Sequence, residues 1–220
     1  MKSSNLRYEM IVWDWDGTIM NSTPTIVDCM QKACADLDLE VPDSALASHV
    51  IGLGLHESIK MILPNLDEGD YPLVLERFRH YYLSVDHELI LFHGIKELLD
   101  DLKHKGHLLA VATGKPRHGL DRTLSLHGLE HFFHDTKTAD QSKAKPHPQM
   151  LLELIDRWGT PPSKMLMIGD TTHDLKMAKN AGVDAIAVTY GAHPKSELLH
   201  LSPIACVDQV SELRDILMKV

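Results

Sequence analysis

Short, unbroken apolar runs recur along this chain, at Met10–Trp13, Leu108–Ala112, Met165–Ile168 and Ala185–Val188. They are continuous rather than alternating, the pattern of strands covered on both faces. Ala205–Val207 is a weaker run of the same kind. Between the later runs the apolar positions change to a helical period. Ile95, Leu98, Leu99 and Leu102 share one face of Gly94–Lys105, and Leu151, Leu152 and Ile155 share one face of Pro148–Trp158. Asp174–Ala181 predicts a short helix stopped by Gly182. Strands alternating with helices predict βαβ units, hence an α/β fold with a Rossmann-like core and a mainly parallel sheet.

The stretch from about Ser22 to Phe92 follows another rule. It reads as helix after helix, without a convincing strand. Thr23-Pro24 opens the first helix, with Thr23 as N-cap and Pro24 at the first helical position. Pro42-Asp43-Ser44 and Pro64 punctuate the next pieces, and Tyr71–Val85 is another amphipathic stretch. The expectation is a discontinuous α/β core, residues 1–20 and 93–220, with a small helical domain, residues 21–92, inserted after the first strand. Hinges are expected at Met20–Ser22 and Leu91–Gly94.

A chain of 220 residues that is 44% hydrophobic has enough apolar surface for a sizeable core. Its net charge of −9 makes a nucleic-acid backbone an unsuitable partner. No apolar stretch has the length of a membrane span, so no membrane partner is expected. No signal-peptide pattern stands at the start, and Cys29, Cys34 and Cys206 form no CxxC, which predicts reduced thiols and the cytosol. Cys29 and Cys34 are five residues apart and so belong on different helix faces. The 15 histidines show no zinc spacing and are expected, nearly all, at the surface.

Chemistry enters where the runs end. Met10–Trp13 delivers Asp14, with Asp16-Gly17-Thr18 just beyond. In an open α/β sheet, ligands bind outside the carboxyl ends of the strands. Two clustered carboxylates repel each other, and a hard cation such as Mg²⁺ relieves the repulsion. An ordinary Asp-Gly turn accounts for the same residues. Leu109–Ala112 runs into Thr113-Gly114-Lys115, where a hydroxyl and free amides suit a phosphate oxygen, although a plain Thr-Gly turn reads the same. Lys145 precedes Pro146, which aims its ammonium or leaves it in a solvated loop. Met165–Ile168 delivers Asp170, with Asp174 at the following helix start, where it also suits an N-terminal cap.

The order Asp-x-Asp-Gly-Thr, Thr-Gly, Lys-Pro, Gly-Asp-x-x-x-Asp resembles the haloacid dehalogenase-like hydrolase superfamily over nearly the whole chain. The helical insertion, Phe92–Leu99, Lys145–Pro148 and Val188–Gly191 resemble its phosphoglycolate phosphatase-like branch. The resemblance implies that Asp14 is a nucleophile forming an aspartyl-phosphate and that Asp16 is the acid and base for leaving group and water. It implies that Thr113, Gly114 and Lys145 hold the phosphoryl oxygens. Mg²⁺ would be held by Asp14, the Asp16 carbonyl and Asp170, with Asp174 close behind. Asp16 argues for phosphoester hydrolysis, since the superfamily's dehalogenases lack an acid there.

The resemblance also makes the insertion a cap that sets substrate choice. Its loop Val50–Glu57 is similar to the cap loop facing the active site in that branch, which nominates Gly52, Gly54 and His56 as substrate contacts. The branch often has an Arg before this loop; here Ala47-Ser48-His49 stands there, with His49 a partial replacement. Lys115 and Arg117 are further candidates for a larger anion. Trp15 stands where the branch usually has Phe. The expected substrate is a small phosphorylated metabolite, with phosphoglycolate the leading candidate, and the expected state is a monomer. A phosphomutase of the β-phosphoglucomutase type and a non-catalytic ligand-binding protein are the alternatives.

Overall fold

In the computed structural model, which describes residues 6–220, strand β1 (Met10–Trp13) lies at the centre of a six-stranded sheet. Residues 1–5 of the expected core lie outside the described residues. The other strands are β2 (Leu108–Thr113), β3 (Asp135–Thr138), β4 (Met165–Gly169), β5 (Asp184–Val188) and β6 (Ala205–Val207). The order is β3-β2-β1-β4-β5-β6, with every neighbouring pair parallel.

Helices α1 (Thr23–Asp36), α2 (Ser44–His49), α3 (Leu55–Ile62), α4 (Tyr71–Val85) and α5 (Ile95–Lys105) fall between β1 and β2. Then α6 (Arg117–His127) precedes β3, α7 (Gln149–Trp158) precedes β4, and α8 (Thr172–Ala181) precedes β5. The chain continues with α9 (Lys195–Leu199) before β6 and α10 (Val210–Leu217) after it.

The unbroken apolar run of β1 has a direct cause. Ile11 and Trp13 join one buried cluster with Leu98, Leu99 and Leu213, while Met10 and Val12 join another with Met150, Leu154 and Leu175. Alternate side chains of one strand thus pack under helices on opposite faces of the sheet, and neither face has room for a polar residue. The helices α1–α4 build a third cluster of their own, around Met30, Ile59, Val74 and Phe78. Cys29 and Cys34 both belong to it. They occupy different faces of α1, but that helix packs against both α2 and α4, so both thiols are buried.

The structure differs from the sequence pattern at three places. Strand β3, Asp-Thr-Lys-Thr, is an edge strand with mostly half-buried side chains, so it carries no apolar run. Helix α6 buries little beyond Leu120, Thr123 and Leu124 and gives only a faint period. The N-cap of α1 is Ser22 rather than Thr23, and it makes no side-chain cap bond, because its hydroxyl donates to Asp16 Oδ1 at 2.8 Å.

The chain's exit from the α/β core and its return are tied together. Met20 bridges to Leu91, Asn21 N–H donates to the Ile90 carbonyl at 3.0 Å, and Phe92 N–H donates to the Ile19 carbonyl at 3.0 Å. The insertion then lies against the carboxyl edge of the sheet. Ser48 Oγ donates to the Ala192 carbonyl at 2.9 Å, and the Gly52 and Leu53 carbonyls press directly on Gly114.

A Cβ on Gly114 would collide with those two backbone carbonyls, which no side-chain rotation relieves. Gly114→Ala is therefore expected to push the Gly52–Leu53 loop off the core. Small-angle scattering should show a larger radius of gyration than wild type, and turnover should fall on the order of a hundredfold from misplacement alone.

Candidate active site at the carboxyl edge of the sheet

The chain runs from β1 outward to β2 and β3, then returns to β4 on the other side of β1. This reversal opens a crevice beyond the strand ends, and residues there are held by rigid backbone. Asp14 follows β1 and is pinned by its N–H to the Ile168 carbonyl at 2.9 Å. Asp170 follows β4. Its Oδ1 accepts from Thr18 Oγ1 and its Oδ2 from Ala192 N–H, both at 2.7 Å. Gly17, at φ +81°, and Gly191 both approach so closely that a Cβ on either would strike the Asp170 carboxylate.

Asp174 fills both roles that its position allows. Its Oδ2 accepts from the Thr171 N–H at 3.0 Å and from Thr171 Oγ1 at 2.7 Å, completing a capping box at the start of α8. Its Oδ1 points the other way, 2.6 Å from Lys145 Nζ. The same Nζ is 2.6 Å from Asp14 Oδ1. Lys145 precedes Pro146 across a cis peptide bond and is almost wholly buried, so the solvated-loop reading does not hold.

Three buried carboxylates therefore face one buried ammonium. Burial pushes the Asp14 carboxyl well above its ordinary range; Lys145 opposes this, and the charges of Asp174 and Asp170 add to it. Asp170 is raised to about 7, by burial first and by Asp174 second. Burial works against the Lys145 charge, yet Asp14 and Asp174 outweigh it and hold the ammonium above its usual pKa. Oxygens of Asp14, Asp170 and Asp174 lie within 4.8 Å of one another, and Asp14 Oδ2 is buried with no hydrogen-bond partner among the described residues. Hard oxygen donors, excess negative charge and an unpartnered lone pair fit a divalent cation such as Mg²⁺.

Asp16 has different surroundings. Its Oδ1 accepts from Ser22, and Lys115 Nζ reaches both its oxygens at 3.0 and 3.1 Å. Lys115 also donates to the Tyr82 hydroxyl of α4 at 3.1 Å. Thr113 is buried at the end of β2, its Oγ1 accepting from the Lys115 N–H at 3.1 Å. Gly114 follows beneath the Gly52–Leu53 loop.

The structure thus gathers Asp14, Asp16, Thr113, Gly114, Lys145, Asp170 and Asp174 at one edge, with Gly52 over them lining the cavity. It does not bring in His56, which is exposed and packs edge-on to Tyr71 at 4.9 Å. Gly54 serves instead as N-cap of α3. His49 does not line the cavity either. Its ring stacks on His193 at 4.5 Å, and its carbonyl accepts from the Nε2 atoms of His173 and His193.

Those two histidines and His107 are buried, against the expectation of a surface set. His193 Nδ1 accepts from the Thr172 N–H, so its proton sits on Nε2 and both nitrogens are engaged. Burial holds His193 down at about 4, in keeping with a neutral ring. Arg117 is turned away to Thr136 and Asp121. Trp15 is wholly buried in the core, edge-on to Phe133. Sequence spacing offered no sign of Ser22 or Tyr82 as partners of the Asp16–Lys115 pair.

Because the folded state holds a proton on Asp170 up to about pH 7, against an ordinary value of 3.8, the metal-free protein loses stability as pH rises through that window. A bound cation reverses the cost by favouring the ionised acids. Saturating Mg²⁺ should raise the melting temperature, and more at about pH 8 than at about pH 5. An equal gain at both would remove Asp170 from the ligand set.

Comparison with known proteins agrees with this geometry. Residues 11–188 match the family described as haloacid dehalogenase-like hydrolase. The chain is 36% identical over 210 residues to the probable phosphatase IndB of Dickeya dadantii (strain 3937), covering 93% of this chain and 91% of that one. It is 30% identical over 223 residues to a phosphoglycolate phosphatase of Haemophilus influenzae (strain 86-028NP), covering 97% and 100%. Among solved structures, a predicted phosphatase from Clostridium acetobutylicum superposes with a TM-score of 0.86 at 24% identity, covering 98% of this chain and 100% of the other. A predicted phosphoglycolate phosphatase from Haemophilus somnus 129PT gives 0.83 at 26% identity, covering 96% and 99%. The chain belongs to the haloacid dehalogenase-like hydrolases, as a phosphatase of their phosphoglycolate phosphatase-like branch.

Proposed function

We propose that this phosphatase hydrolyses small phosphomonoesters in a Mg²⁺-dependent reaction, through an aspartyl-phosphate on Asp14. The observation that carries the reading is the contrast between two carboxylates. Asp14 is buried beside Lys145 with an unpartnered oxygen, while Asp16 sits in a separate hydrogen-bonded niche facing the cavity.

Asp14, Asp170 and the Asp16 carbonyl would hold the metal, with Asp174 behind them. When bound, Mg²⁺ neutralises charge so that an anionic nucleophile can meet an anionic phosphate. A carboxylate oxygen of Asp14 attacks phosphorus in line, and the bond from phosphorus to the ester oxygen breaks. Asp16 acts as the acid that gives a proton to the departing alkoxide. As a carboxylate it then takes a proton from the water that attacks phosphorus, which frees Asp14 and releases phosphate. Thr113, the Gly114 amide and Lys145 hold the phosphoryl oxygens and stabilise their charge in the transition state.

Residues 21–92 act as a cap over a core of residues 1–20 and 93–220, closing to limit water. Phosphoglycolate is the reference substrate, since relatives are named for it. Neither a mutase nor a binding role is favoured by any specific contact, and a binding protein has no use for the acid Asp16. No helix among the described residues is long and apolar enough to cross a membrane, and the three cysteines are free. The reading proposed is a cytosolic monomer acting on a small phosphorylated metabolite, in line with relatives named for phosphoglycolate.

The test is phosphate release with Mg²⁺ and with EDTA. Wild type should be active only with metal. Asp14→Asn should lower kcat by at least about a thousandfold. Asp16→Asn should slow alkyl phosphates about a hundredfold more than p-nitrophenyl phosphate, whose leaving group needs no proton. Unchanged turnover in Asp14→Asn would remove the nucleophile.

A further inference from the structure

The space above Asp14 and Asp16 is a cavity of about 120 Å³ between the helical insertion and the loop after β2. Its wall on the insertion side is mostly apolar, with Ile26, Met30, Val50, Leu53, Phe78 and Leu83, and also carries the charged Arg79 and Asp86. Phe78 and Tyr82, one turn apart on α4, stack at 5.7 Å and 21° and present an aromatic wall.

The charged groups lining it are mostly spent. Lys115 is held by both oxygens of Asp16. Arg122 is held by both oxygens of Asp86, at 2.6 and 3.0 Å. The remaining cationic or titratable side chains, Arg79 and His118, are exposed. A carboxylate carried close to the phosphate would enter beside Asp16 and Asp86; Lys115, the buried cation lining the cavity, would have to leave Asp16, and Arg122, itself exposed, is engaged by Asp86. Burying an uncompensated carboxylate is costly, whereas apolar surface entering such a wall is favourable.

Resting on the phosphatase reading above, we infer that this cavity selects phosphomonoesters of uncharged primary alcohols that carry an apolar or aromatic body, and disfavours carboxylate-bearing esters such as phosphoglycolate. The discriminating wall is that of α1, α4 and the Val50–Leu53 segment. The catalytic groups read only the phosphoryl end and are indifferent to what it is attached to.

The experiment measures kcat/KM with Mg²⁺ for ethyl, butyl, hexyl and 2-phenylethyl phosphate and for phosphoglycolate. All release a primary alcohol, so binding rather than leaving-group chemistry separates them. From ethyl to butyl, kcat/KM should rise about three- to fourfold per methylene. The 2-phenylethyl ester should exceed phosphoglycolate by at least about tenfold. Phe78→Leu, which keeps an apolar core residue, should lower the ratio of 2-phenylethyl to ethyl phosphate at least about threefold.

A flat series, or phosphoglycolate above the apolar esters, overturns the inference and leaves the phosphatase standing. Absence of turnover for every compound, p-nitrophenyl phosphate included, overturns the hydrolase reading and this inference with it. If Phe78→Leu does not fold, the wild-type series decides alone.

Discussion

Three carboxylates buried around one ammonium form the constraint to which the rest of this structure answers. Asp14, Asp170 and Asp174 are almost without solvent access, and Lys145 touches two of them. Such a cluster is expensive, because each charge loses its water and only one counter-charge is present. The fold tolerates it by holding each acid from several sides: a strand end for Asp14, a hydroxyl and an amide for Asp170, a capping box for Asp174. The glycines at 17, 169 and 191 leave space for these carboxylates where any Cβ would collide with them. The excess charge that makes the cluster costly is also what would give a divalent cation its affinity there.

The same edge governs how the helical insertion sits. Asp16 is held by Ser22, at the exit from the core, and by Lys115, which reaches Tyr82 of α4. One carboxylate thus contacts the start of the insertion directly and its last helix through a single lysine. The exit and return segments are bridged to each other, which couples the two crossings. Across the seam, the carbonyl that ends α2 accepts from two buried histidines of the core. Polar contacts of defined geometry therefore help seat the insertion against the core, beside the apolar packing of Tyr82 and Leu89.

Much of this was legible in the sequence, because the core strands are covered on both faces and must be continuously apolar. The acids that follow them were legible for the same reason: a buried strand leaves little freedom in where its next residue lands. Edge strand β3 and helix α6 were not, since half-buried elements need no apolar signature. Lys145 read by its neighbours alone left a solvated loop open, and only the resemblance placed it at the site, because nothing local reveals that two acids from distant segments converge on it. His56 looked like a ligand because it sits beside the glycines of the loop, yet the start of α3 turns it outward onto Tyr71. The cavity wall was illegible altogether. Ile26, Met30, Phe78 and Leu83 are ordinary members of amphipathic helices, and only the packing of α1 against α4 sets them over the acids.

That division between site and wall has a physical logic. The phosphoryl end needs fixed charges, so it is built from strand ends and backbone that cannot drift. Discrimination among alcohols needs only shape and polarity, which the apolar faces of packed helices would supply on the selectivity inferred above. Here the pairing of Lys115 with Asp16 and of Arg122 with Asp86 completes the separation. Lys115, the buried cation lining the cavity, is thus engaged by Asp16, while the wall on the insertion side is largely apolar. On the selectivity inferred above, charge would recognise the phosphate and apolar surface its alcohol.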